Sequence, residues 1–138
     1  MRTALGVISG FLGGLAALFA TAFIGDKLFP LPPTRAASGV IEQATAALAN
    51  APTGALLFIG LSWLLGGFAA GLIGKWLSGS QGAAWGAVAL LTLLTGANMF
   101  LAPFPVWLAI CSVAAPLIGG LIGSHLAPAR APTPGDAA

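Results

Sequence analysis

The sequence predicts an all-α fold, an integral membrane bundle of four transmembrane helices, and three observations predict it. The chain is 58% hydrophobic and only 6% charged over 138 residues, with a mean hydropathy of +1.00. Ordinary soluble domains carry about 25% charged residues, and a water-facing surface of this size cannot be coated with eight charged side chains and one histidine. Four uncharged or nearly uncharged stretches each reach the length of about 20 residues that a helix needs to cross a hydrocarbon core about 30 Å thick. Small residues recur at a four-residue spacing in each stretch, the pattern that lets helix backbones approach closely in lipid.

The first span runs from about Ala4 to Ile24. Ala20-Thr21-Ala22 resembles a small-residue cleavage site, which makes a removable signal peptide the competing reading. Against it, the apolar run exceeds the roughly 7 to 15 residues of a signal core and the positive region is a single Arg2. Gly25 to Thr53 is the long connection, expected on the periplasmic side. It opens with the extended stretch Phe29-Pro30-Leu31-Pro32-Pro33. Ser38 to Asn50 reads as a short helix at the membrane surface, with Val40, Ile41, Ala44, Ala47 and Leu48 on one face and Glu42, Gln43 and Thr45 turned away. A plain exposed loop is the alternative there, because the apolar face is mostly alanine.

The second span covers about Gly54 to Trp76, the third about Gly82 to Ala102, and the fourth about Pro105 to Leu126. Short connections at Leu77 to Gln81 and at Pro103-Phe104-Pro105 force these three into an up-down series. The chain thus reads as a transmembrane domain over residues 1–127 and a disordered tail over 128–138, where proline and alanine cannot bury a core. Arg2, Lys75 and Arg130 fall on one side of the membrane with the amino terminus, and Lys27 and Arg35 on the other. The excess of positive charge places both termini in the cytoplasm.

Gly6, Gly10 and Gly14 mark the packing face of the first span, Gly67 and Gly71 that of the second, Gly82 and Gly86 that of the third, and Gly119 and Gly123 that of the fourth. These faces pair within one bundle or between copies. A further regularity is the match of Gly71-Leu72-Ile73-Gly74-Lys75-Trp76-Leu77 to Gly120-Leu121-Ile122-Gly123-Ser124-His125-Leu126, identical at five of seven positions. It reads first as a chance match within a small alphabet of Gly, Leu, Ile and Ala, with two helical hairpins in parallel repeat as the competing reading.

No span has a central Asp, Glu, Lys or Arg, the groups that proton relays and many coupled transporters use. The most polar intramembrane group is Thr92, Thr95 and Asn98, three residues apart on one helix face. It reads first as interhelical hydrogen bonding and second as a ligand or pore contact. Pro116 is expected to kink the fourth helix. Trp76, Trp85 and Trp107 fit an interfacial aromatic belt and Trp63 a packed position. His125 and Cys111 each stand alone, so no metal site, cofactor or disulfide is expected. There is no phosphate loop and no nucleophile motif, so the chain is read as no enzyme, and scattered basic residues make no nucleic-acid surface.

The layout resembles small four-span proteins of bacterial inner membranes, a family with no established activity. The residues that carry the resemblance are Pro30 to Pro33, Gly96-Ala97-Asn98, and Pro105-Val106 before Trp107. It implies an inner-membrane location and no particular chemistry. The sequence therefore leads to a structural or accessory membrane protein, whose partners are lipid and either further copies or a larger complex. The competing class is an oligomeric transporter or channel for a neutral or lipidic solute.

Overall fold

The computed structural model describes residues 1–31, 39–98 and 105–128. Over these residues the chain is all helical: α1 (Arg2–Leu28), α2 (Val40–Ala49), α3 (Thr53–Ser78), α4 (Gln81–Ala97) and α5 (Val106–Leu126). Three of them, α1, α3 and α5, are long and apolar enough to cross a membrane, while α4 is apolar but 17 residues long. Parts of the proline-rich stretch, the Pro103-Phe104 turn, residues 99–102 and the tail after Pro128 lie outside the described residues.

The helix ends follow from local chemistry. Pro52 and Pro105 are the N-caps of α3 and α5, where fixed φ and a missing N–H cost nothing. At the end of α3, Gly79 adopts the left-handed conformation, φ 70°, and its N–H reaches the Lys75 carbonyl at 2.7 Å, as a C-terminal glycine does. Beyond the predicted end of the first span, α1 continues to Leu28, and the chain then turns so that the Phe29 and Phe58 rings pair at 5.7 Å. Lys27 turns its ammonium over the Phe23 ring, 5.3 Å from the centroid. The short helix forms as α2, with Glu42 and Gln43 exposed and Ala47 and Leu48 half-buried.

The four long helices pack as a rhomb. α3 touches α1, α4 and α5, and α4 touches α1, α3 and α5, while α1 and α5 occupy the far corners and α2 makes no comparable contact. Close approaches fix the directions. Gly6 lies by Ser78 and Gly14 by Gly66, so α1 and α3 are antiparallel. Gly74 lies by Ala84, and Thr95 by Ser112, which continues the alternation through α4 and α5. The start of α1 and the end of α5 therefore sit at the same end of the molecule.

Burial runs opposite to that of a soluble bundle. The interior holds Ala70, Ala83, Ala84, Ala87, Val88, Leu91 and Leu108 together with glycines and hydroxyl side chains. The outside carries Phe19 at 65% exposure, Leu93 at 70% and Ile110 at 64%, with many other large apolar side chains. In water this arrangement would forfeit the hydrophobic effect, about 25 cal/mol per Å² left wet. In hydrocarbon it costs nothing, because lipid tails are as apolar as leucine, and close backbone contact supplies the cohesion.

Candidate functional site

The glycine faces make two seams on α3. On one side Gly66, Ala70 and Gly74 meet Gly6, Gly10 and Gly14 of α1. A methyl group on Gly6 would stand 2.6 Å from the Ser78 Cβ, on Gly10 2.7 Å from the Ala70 carbonyl oxygen, and on Gly14 2.8 Å from the Ala70 Cβ. On the other side Gly67 and Gly71 face α5, where a methyl would collide with the backbone of Pro116 and of Gly120. Gly119 and Gly123 of α5 press on the Leu64 and Phe68 carbonyls just as closely. All of these contacts are made within one chain.

The third span packs differently from expectation. Gly82 is exposed, and the nearest atom to an added methyl there is the Ser80 hydroxyl at 3.5 Å. Gly86 is half-buried and packs on α1, where a methyl would stand 3.0 Å from the Val7 Cγ2. The small inward residues of α4 are Ala83, Ala84 and Ala87, each at 0% or 1% exposure. A four-residue spacing of small residues exists on both faces of this helix, and the side that carries Val88 and Leu91 turns inward because it fills the space between α1, α3 and α5.

Along the second seam the repeated heptapeptides lie side by side. Gly71 packs on Gly120 and Gly67 on Pro116, and Lys75 bonds Ser124 across the same 49-residue separation. The parallel pair α3 and α5 is thus in register with the repeat. The two hairpins are not otherwise equivalent, since α3 touches α4 while α1 has no comparable contact with α5.

Two side chains on this half of the molecule answer the same problem. A proline has no N–H for the carbonyl four residues before it, and in hydrocarbon an unpaired carbonyl costs several kcal/mol. Pro116 leaves the Ser112 carbonyl without its helical donor. The Thr95 hydroxyl of α4 reaches that oxygen at 2.7 Å, with the residues of the bond at 1% and 0% exposure. The Ser124 carbonyl is open for another reason, because α5 ends at Leu126 and the carbonyls of its last turn have no donor within the helix, and there the Lys75 ammonium of α3 donates at 2.7 Å. Gln81 of α4 adds a bond to the Ser124 hydroxyl at 3.0 Å. A cation at a helix C-terminus also complements the negative end of the helix dipole.

The predicted polar group is accordingly divided. Thr95 turns inward to α5, while the Thr92 hydroxyl donates to its own helix at Val88, 2.8 Å away. Asn98 is exposed at the end of α4, and its amide nitrogen donates to the Leu94 carbonyl at 3.2 Å. Thr92, Leu93, Gly96 and Ala97 of α4 and Ala109, Ser112 and Val113 of α5 line a groove of about 550 Å³. A smaller apolar pocket of about 180 Å³ lies at the other side of α3, between Ala22, Gly25, Phe58 and Ile59. Every buried side-chain nitrogen or oxygen among the described residues has a partner.

Of the remaining residues singled out in the sequence, Trp63 is buried at 5% exposure while Trp76, Trp85 and Trp107 are exposed. His125 is exposed and Cys111 is a half-buried free thiol. No group of three or more His, Cys, Asp or Glu that could hold a metal ion occurs among the described residues. Comparison with protein-family models, curated proteins and solved structures finds no match.

Proposed function

We propose that this chain is a four-span protein of a bacterial inner membrane with both termini cytoplasmic, and that it serves as a structural or accessory element through helix association with further copies or a larger complex. The observation that carries the reading is the inversion of burial, with glycine and alanine inside and Phe19, Phe23, Leu93, Ile110 and Leu121 outside. Its glycine seams are occupied within the chain, so what it offers a partner is the apolar outer surface. Ala70, Ala87, Val88 and Leu91 fill the middle of the bundle, which supports the accessory reading over a solute path through it. Lys75 at the end of α3 and Arg2 at the start of α1 support the orientation, and the resemblance in layout supports the bacterial membrane.

The test is isolation in a lipid-preserving medium with the mass of the assembly measured, beside flux assays in reconstituted vesicles. The reading expects a stoichiometric assembly, with itself or with another membrane protein, and no flux of neutral solutes. A lone monomer, or a solute flux that Thr95→Val abolishes while the assembly persists, overturns it.

A further inference from the structure

The two halves of α5 are held differently, and the division falls at Pro116. From Pro116 onward the helix is locked to α3, since Gly67 and Gly71 admit its backbone and Gly119 and Gly123 press on Leu64 and Phe68. Before Pro116 α5 has no glycine, and it is held by side chains instead, with Leu108 and Ser112 at 0% exposure and Leu108 beside Gly60 of α3. There α4 and α5 leave the groove of about 550 Å³ lined by Leu93, Gly96, Ala109 and Val113.

The bond that crosses beside this groove can exchange. The Thr95 hydroxyl lies 2.7 Å from the Ser112 carbonyl and 3.1 Å from both the Leu91 and Thr92 carbonyls of its own helix. One proton serves three acceptors, so releasing Ser112 leaves the hydroxyl paired, and the freed Ser112 carbonyl has to take a water from the groove that Ser112 lines. A proline in mid-helix supplies a flexible point, because a ladder bond is missing and the ring crowds the preceding turn.

We propose that Pro116 is a hinge on which the N-terminal half of α5, residues 106–115, swings against α4, and that the Thr95 hydroxyl is its latch. With the latch on Ser112 the groove has the width seen here, and with the latch on Leu91 or Thr92 the groove widens. The device goes beyond the accessory reading and does not depend on it, since the moving half carries its own exposed apolar face of Val106, Ile110 and Val113.

The test uses spin-label pairs in the full chain, reconstituted in lipid vesicles, on a Cys111→Ala background. One pair replaces Leu93 of α4 and Ile110 of the N-terminal half of α5, both exposed, and a reference pair replaces Leu90 of α4 and Ile118 of α5 beyond the hinge, also exposed. Thr95→Val is expected to shift the Leu93–Ile110 distance distribution to longer values, while Thr95→Ser retains it and the reference pair stays fixed. Pro116→Ala restores a donor for Ser112, so it is expected to narrow the distribution and to cancel the effect of Thr95→Val. An unchanged distribution in Thr95→Val, an equal shift with Ala at 116, or movement of the reference pair along with the first overturns the proposal. Should Thr95→Val fail to assemble, Pro116→Ala alone decides: a narrowed distribution supports the hinge and an unaltered one refutes it.

Discussion

Glycine 119 and glycine 82 are the same residue type in the same kind of helix, and they predict opposite outcomes. A methyl group on Gly119 has to enter the space of the Leu64 carbonyl, which is backbone and cannot rotate away. Gly119→Ala is therefore expected to cost about 1 to 3 kcal/mol, the range for overpacking, read by unfolding in mixed micelles. Gly82→Ala meets nothing closer than 3.5 Å and removes a glycine from a helix, so the same measurement should show it neutral or slightly stabilising. At Thr95 the loss of one hydroxyl leaves the Ser112 carbonyl unpaired, and Thr95→Val should cost about 1 to 2 kcal/mol. Thr95→Ser should cost less than half of that.

At the scale of the element, α5 depends on its neighbours for two carbonyls, one left open by Pro116 and one by the end of the helix. Lys75→Met keeps the aliphatic stem and removes the donor to Ser124. It is expected to speed amide exchange over the last turn of α5, around Gly123 to Ala127, without altering the α1 seam. Lys75→Gln, which keeps an N–H, should restore part of the protection. Pro116 was legible in the sequence, and so was the carbonyl it orphans, because the offset of four is a property of the helix alone. The donors were not legible. Thr95 and Lys75 reach Ser112 and Ser124 only after the directions and register of α3, α4 and α5 are set, and no local pattern specifies those. Asn98 shows the converse error, since its spacing from Thr95 put it on the same face but its position at the helix end turned it out of the packing.

On the scale of the whole molecule, the all-helical class and the positions of the apolar helices were readable because lipid, the solvent proposed for this chain, permits little else. A spanning backbone has to pair its own N–H and C=O groups, and about 20 apolar residues are needed to do so across the core. The glycine faces of α1 and α5, and the face of α3 that meets α5, were readable for a related reason, since glycines four apart share one face, but Gly66 and Gly74, which meet α1, were not singled out. In α4 two small faces compete, Gly82 with Gly86 and Ala83 with Ala87, and the choice between them rests on which side must fill the middle of the rhomb. The alternation of α1, α3, α4 and α5 gives the account its sharpest consequence. It sets the end of α1 and the start of α3 at one end of the molecule and the start of α1 and the end of α5 at the other.

The most direct measurement is a pair of topology reporters, one fused after Asn50 and one at the carboxyl terminus of the full chain. Four crossings predict opposite compartments, with the first reporter active outside the cytoplasm and the second inside. Both reporters in the same compartment would contradict the four-span bundle.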